Sequence, residues 1–120
     1  MKPLAILFFA AALLISCNKN EEIRRQLNSR NPSDIIRGTY AAGQSGNKEF
    51  VPLLLHNAAD PSCGADIRFK GFSVYTEKMY ALQKILGVKP PHNYQGLEIS
   101  PDSTNIKFYT QYWENVNKRN

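Results

Sequence analysis

The chain has 120 residues, of which 42% are hydrophobic and 21% are charged, and its formal net charge at pH 7 is +5. This length allows one small domain with a thin hydrophobic core. The basic residues are scattered and form no run interleaved with aromatic residues, which argues against a nucleic-acid partner. They indicate a slightly cationic, solvated surface, or one that attracts anionic lipid or an acidic partner.

The first 16 residues have the pattern of an export signal. Lys2 supplies a positive charge, and an unbroken apolar run of twelve residues follows from Leu4 to Ile15. A helix that crosses a bilayer needs about 20 apolar residues, so this run is predicted to be the hydrophobic region of a signal peptide. Residues 14–17 read Leu-Ile-Ser-Cys: an aliphatic residue, a tolerant position, a small residue and a cysteine.

These four residues resemble the lipobox of bacterial lipoproteins. The resemblance implies cleavage between Ser16 and Cys17, with diacylglycerol and palmitate-type chains on the Cys17 residue. Each buried CH₂ group adds roughly 0.8 kcal/mol of membrane affinity, so two or three chains would anchor the protein permanently. The alternative is an ordinary secretory leader that ends near a cysteine.

Residues 17–22 are predicted to form the lipidated cysteine and a polar tether ahead of a domain at 23–120. Position 18 is asparagine, so the aspartate that retains enteric lipoproteins at the inner membrane is absent. Lys19 followed by Glu21 and Glu22 is similar to the surface-export tether of Bacteroidota lipoproteins. These features predict a location in the bacterial cell envelope, at the outer membrane, on its periplasmic or surface face.

Hydrophobic periodicity predicts an all-α domain without strands. Asn31 and Pro32 are a typical helix start, Gly46 and Gly87 are typical helix ends, and Ser100 is a candidate cap for the last helix. The predicted helices span residues 22–29, 32–45, 48–59, 72–86 and 101–117. The apolar positions predicted to face the core are Ile23, Leu27, Ile35, Ile36, Tyr40, Gly43, Val51, Leu54, Leu55, Ala58, Tyr75, Met79, Leu82, Leu86, Ile106, Tyr109, Trp113 and Val116.

Residues 32–60 resemble a HEAT repeat. Residues 40–46 (Tyr-Ala-Ala-Gly-Gln-Ser-Gly) are similar to the end of a HEAT A helix, and residues 48–55 (Lys-Glu-Phe-Val-Pro-Leu-Leu-Leu) to the start of a B helix. Residues 79–87 echo the first ending, and Gly46 and Gly87 lie 41 positions apart, within the roughly 40–47 residues of a HEAT unit. The resemblance implies a small HEAT-like superhelix in which Ala42 and Gly43 let a partner helix approach closely. The alternative is an unrelated small helical bundle.

His56, His92 and Cys63 are the candidate chemical groups. The histidines lack the spacing of a metal site, so no metal is expected. The glycines match no phosphate-binding or dinucleotide motif, so no cofactor is expected. Cys63 lies in a turn-like stretch, where a lone cysteine is usually inert. We therefore predict a protein that is not an enzyme; the alternative is a small hydrolase with Cys63 as nucleophile and His56 as base.

Aromatic residues are concentrated in the second half of the chain. One face of the last helix cannot bury all of its rings, so we expect Phe108 or Tyr112 at the surface, where aromatic residues favour binding patches. The sequence thus predicts a non-catalytic binding or scaffold module for a protein or peptide. The alternative is an immunity or inhibitor lipoprotein that protects against a toxin. The predicted contact residues are Tyr75, Tyr80, Tyr112 and Trp113, with Arg37 as an electrostatic contributor.

Overall fold

The structure, a computed structural model, describes residues 18–65, 67–69, 71–96 and 99–119. The predicted cleavage and lipidation residues Ser16 and Cys17 lie outside these ranges. The described chain is all-helical, as predicted, and its one extended pairing there is an isolated bridge between Cys63 and Ser73. None of the described helices has the length and apolar character needed to span a membrane. The helices are α1 (18–27), α2 (Pro32–Ser45), α3 (Val51–Leu55), α4 (Val74–Leu86) and α5 (Ser103–Lys118), with 3₁₀ turns at Lys48–Phe50 and Ile67–Phe69.

The ends of α2 and α4 confirm the signals in the sequence. The Asn31 side chain accepts a hydrogen bond from the Ser33 amide at 2.9 Å, which caps α2. Helix α2 ends at Gly46 with φ 66°, and α4 ends at Gly87 with φ 73°. Glycine adopts this left-handed conformation without the steric cost that a Cβ imposes. The two predicted helix endings therefore share one local geometry.

Three predicted helix boundaries differ in the structure. The segment predicted as helix 48–59 contains only α3, because His56 is extended and Asn57 is left-handed with φ 50°. Helix α5 is capped by Asp102 rather than Ser100, since the Asp102 carboxylate accepts from the Thr104 amide at 2.8 Å. Helix α1 includes residues 18–22, so these residues of the segment predicted as a polar tether are helical.

The helices pack around one core to which each of them contributes. Phe50, Leu54, Met79, Leu82 and Tyr109 are fully buried at its centre, where α3, α4 and α5 meet. The buried Ile23 and Leu27 join α1 to the same cluster, as their spacing predicts.

Close contact between α2 and α4 depends on small residues. A Cβ on Gly43 would lie 3.1 Å from the Ala81 Cα, so the two backbones approach as closely as glycine allows. The small residues Ala42 and Gly43 were expected to let a partner helix approach closely, and the helix that approaches is α4. Tyr40, which was predicted to face the core, is instead 51% exposed, and the buried Thr39 lies on the packed side of α2.

Candidate ligand-binding cleft

A cleft of about 890 Å³ runs along α2 and α4 and is bordered by the segments before and after α4. Its volume lies within the roughly 300–1,000 Å³ of pockets that hold small ligands or side-chain groups. We call it the α2–α4 cleft. Its aromatic lining residues are Tyr40, Phe69, Phe72, Tyr80 and Tyr94.

The rings form two groups along the cleft. Tyr40 and Phe69 meet edge to face with centroids 5.6 Å apart. Tyr80 contacts Phe72 at 6.2 Å and Tyr94 at 4.9 Å. These are ordinary distances for interacting rings, so the aromatic walls of the cleft pack against one another.

Glu77 is the unusual polar residue of the cleft. It lies on α4 and is only 7% exposed, and it lines the cleft. Within the described part of the chain, the geometry gives its carboxylate no hydrogen-bond donor and no ion-pair partner, and burial alone raises its pKa from 4.5 to about 7. Its oxygens are not among the side-chain atoms that are closed off from solvent without a partner, so the carboxylate is open to the cleft and can bind a donor that enters it.

Thr39 adds a second unsatisfied group. Its side chain is fully buried, and its hydroxyl has no hydrogen-bond partner in the described structure. Thr39 also lines the α2–α4 cleft. A buried hydroxyl without a partner costs roughly 1–3 kcal/mol. Because this hydroxyl is closed off from solvent, it leaves the wall of the cleft with an unsatisfied polar group rather than with a contact that a ligand can reach.

Basic side chains line other parts of the cleft. Arg37 forms an ion pair with Asp34 one turn earlier in α2, and the Arg68 guanidinium lies 5.9 Å from the centroid of the Phe69 ring. Lys84 is exposed near the end of α4. The buried anion is therefore accompanied by cations at more accessible positions.

The predicted contact residues fall into three places. Tyr80 and Arg37 line the cleft. Tyr75 is completely buried, and its hydroxyl accepts a hydrogen bond from the Asn105 amide at 3.0 Å, so it cannot contact a partner directly. Tyr112 and Trp113 are half-buried on α5 and lie outside the described lining of the cleft.

The prediction for surface rings on α5 was wrong in its choice of residue. Phe108 and Tyr112 are both half-buried and stack on each other, with centroids 6.5 Å apart. Among the described residues, the large hydrophobic side chain that is exposed is Tyr40 on α2. Mutual stacking along α5 therefore covers rings that a single core-facing stripe would leave in solvent.

Neither histidine, nor Cys63, is among the described lining residues of the cleft. The His92 imidazole lies 2.6 Å from the Asp102 carboxylate, and this hydrogen bond holds the Asp102 pKa below its usual value. The backbone amide of His92 donates to the Asn105 side chain at 2.9 Å, which joins the preceding loop to α5. The exposed Cys63 sulfur lies 3.8 Å from the Pro61 carbonyl oxygen.

Neither Glu77 nor Thr39 was among the predicted site residues. The stripe that starts at Tyr75 places Glu77 on the opposite side of α4, where periodicity predicts solvent. One signal did exist, because Ala81 lies one helical turn after Glu77 and indicates a second packed face. Comparisons with protein families, with curated proteins and with solved structures find no match for this chain, so the geometry of the cleft carries the functional argument.

Proposed function

We propose that this protein is a lipid-anchored, non-catalytic module of the bacterial cell envelope that binds a segment of a protein or peptide in the α2–α4 cleft. The observation that carries the proposal is a cleft of about 890 Å³ whose aromatic walls pack against one another and which contains a largely buried carboxylate without a partner in the described structure. A cleft that served only packing would be expected to satisfy its polar groups internally. Tyr40, exposed at the rim, supplies the type of residue that is enriched at interfaces.

Uncharged polar groups in the lining also suit a peptide. Gln26, Gln44 and Gln95 line the cleft, and their amides can both donate and accept hydrogen bonds. An extended peptide presents alternating backbone donors and acceptors, which such amides can satisfy. Gln83 is partly engaged, because its side-chain oxygen accepts a hydrogen bond from the Tyr94 hydroxyl.

The anchor is proposed from the lipobox-like residues that end at Cys17. Helix α1 begins no later than residue 18, and Ile23 already lies in the core. An acylated Cys17 would therefore hold the domain within a few residues of the bilayer. The HEAT-like superhelix is weaker support, because a HEAT unit pairs consecutive helices, whereas α2 packs mainly against α4.

The anchor is tested by the fate of two cysteine variants. Cys17→Ser should move the protein from the membrane fraction to the soluble fraction, whereas Cys63→Ser should leave it in the membrane. The intact mass of the membrane form should show a chain that begins at residue 17 and carries acyl groups. A membrane-bound Cys17→Ser variant, or a mature chain without lipid, would contradict the anchor.

Binding in the cleft is tested by photocrosslinking in the host cell. A photoreactive phenylalanine analogue replaces Tyr40 at the cleft rim, and in a parallel strain it replaces Tyr112 on α5. We expect a discrete protein adduct from position 40 and none from position 112. Gln44→Trp, which fills the cleft from α2, should abolish that adduct, and the exposed Gln111→Trp on α5 should not. Equal adducts from both positions, or an adduct that survives Gln44→Trp, would count against the cleft.

A further inference from the structure

We infer that the α2–α4 cleft receives a basic side chain of the partner segment, with Glu77 as its counter-ion and aromatic rings as its walls. The inference rests on the proposed function and specifies the chemistry of the ligand. The partner chemistry it commits to is a lysine or arginine flanked by acidic residues.

The first argument is the state of the Glu77 carboxylate. Removing an ionised carboxylate from water is costly unless a cation or hydrogen-bond donors replace the water. No described group does so, and the pKa of Glu77 is accordingly raised to about 7. An ammonium or guanidinium group would supply both the charge and the donors. Binding would therefore offset the desolvation cost of the ionised carboxylate, which no described group offsets in the free protein.

The second argument is the surroundings of that carboxylate. Tyr80 lies three residues after Glu77 on α4, hence on the same side of the helix, and it contacts Phe72 and Tyr94. Cations are attracted to the faces of aromatic rings within about 6 Å, most strongly where water is excluded. The long methylene stem of lysine or arginine would also cover apolar surface in the cleft.

The third argument is the charge around the buried anion. In addition to Glu77, the charged or titratable side chains that line the cleft are Arg37 and Tyr40 from α2, Arg68 from the segment before α4, Tyr80 and Lys84 from α4, and Tyr94 from the segment after it. Helix α1 contributes the uncharged Gln26. Lys84, exposed near the end of α4, can meet an acidic neighbour of the bound basic residue, whereas Arg37 already pairs with Asp34. Lys84 also disfavours a uniformly basic peptide, which gives the cleft a basis for specificity.

The experiment compares fluorescein-labelled pentapeptides by anisotropy, with the lipidated full-length mature protein in detergent. The peptides are Ser-Asp-Lys-Asp-Ser, the same sequence with norleucine in place of lysine, and Lys-Lys-Lys-Lys-Lys. At about pH 8, where Glu77 is mostly ionised, we expect the first peptide to bind at least about ten-fold more tightly than either of the others.

Variants assign the effect to Glu77. Glu77→Gln should lower the affinity for the lysine peptide about ten-fold and leave the norleucine peptide unchanged. The matched control Glu114→Gln, at an exposed position on α5, should change neither. Lowering the pH from about 8 to about 5.5 should weaken lysine-peptide binding in the wild type but not in Glu77→Gln, since protonation removes the counter-ion.

The outcomes separate this inference from the proposed function. Equal binding of all three peptides, or a lysine preference that survives Glu77→Gln, would overturn the inference and leave a peptide-binding cleft. Absence of binding by every peptide together with a Tyr40-site crosslink in cells would also overturn it. Loss of both binding and crosslink would overturn the proposed function as well.

Discussion

Glu77 and Lys78 are neighbours on α4 and are both buried, at 7% and 3% exposure, but they differ in what surrounds their charges. The Lys78 ammonium donates a hydrogen bond to the His56 carbonyl at 2.7 Å, just beyond the end of α3. Burial lowers the Lys78 pKa to about 8, and the nearby Asp60 opposes that shift. Glu77 faces the α2–α4 cleft without a partner in the described structure, and its pKa rises to about 7.

The two sides of α4 therefore treat a buried charge differently. On the side of α3, a buried ammonium donates a hydrogen bond to a backbone carbonyl at a helix end, where cations are favourable. This hydrogen bond contributes to the fold, although the lowered Lys78 pKa shows that burial still disfavours the charged form. On the side of α2, a buried anion adds a desolvation cost that nothing within the described chain offsets. Polar groups of this second kind concentrate at binding and catalytic sites, which is why the cleft rather than the core is assigned a function.

The largest expected effect is on the partnered charge. Lys78→Ala should lower the free energy of unfolding by about 2–4 kcal/mol, because it leaves the His56 carbonyl without its donor and opens a cavity. Urea unfolding at neutral pH measures the change, and Lys118→Ala at an exposed position on α5 should change it by under about 0.5 kcal/mol. A similar small change for both variants would remove the contrast between the two charges.

The unpartnered charge should respond in the opposite direction. Glu77→Gln should raise the free energy of unfolding by about 2 kcal/mol at pH 8, because the amide avoids the cost of burying an ionised carboxylate. The folded protein holds the Glu77 proton up to a pKa of about 7, whereas the unfolded chain releases it near 4.5. The contribution of Glu77 to the free energy of unfolding of the wild type is therefore fully present below about pH 4.5. It is lost as the pH rises through about 7.

The pH dependence of stability distinguishes an effect of the buried charge from an effect of packing in Glu77→Gln. The stability difference between Glu77→Gln and the wild type should be largest above about pH 7 and should shrink as the pH falls towards 4.5. Urea unfolding at both ends of that range measures it. A constant difference at all pH values would indicate a packing effect of the substitution rather than a buried charge.

The smallest effects compare two hydroxyl groups. Tyr109 is fully buried, and its hydroxyl donates to the Val88 carbonyl at 2.8 Å. Tyr109→Phe should lower the free energy of unfolding by about 1 kcal/mol, the usual cost of such a loss. Tyr40→Phe at the exposed cleft rim should change it by under about 0.5 kcal/mol. Thermal or urea unfolding of both variants checks the order, and an equal cost would mean that the rim is as tightly packed as the core.

The sequence predicted local features of this fold better than its cleft. Helix ends were predicted correctly at Asn31, Gly46 and Gly87. Capping depends on the local backbone conformation that these residue types favour, so it can be predicted from the sequence alone. Helix α3 was predicted too long, because Val51, Leu54 and Ala58 are buried with helical spacing although the helix stops at Leu55. The spacing of apolar residues predicts which side chains are buried. It does not predict where the helix ends, which here depends on the left-handed conformation of Asn57.

The cleft was not predictable because it depends on which helices meet. Periodicity assigns α4 a single buried face through Tyr75 and Met79, yet every residue from Val74 to Met79 is buried. Contact with α2 on one side and α3 on the other covers the helix around its circumference. Such non-local packing leaves Glu77 only 7% exposed and makes Tyr75 unavailable to a partner.

The pKa of Glu77 in the free and the peptide-bound protein tests the central claim most directly. Carbon-detected NMR of the labelled Glu77 carboxyl group gives this value as a function of pH. We predict a pKa of about 7 in the free protein and a fall of about one unit or more when the cleft is saturated with Ser-Asp-Lys-Asp-Ser, because a bound cation favours the ionised form. A free pKa near the ordinary 4.5, or a value that the lysine peptide leaves unchanged, would contradict the account.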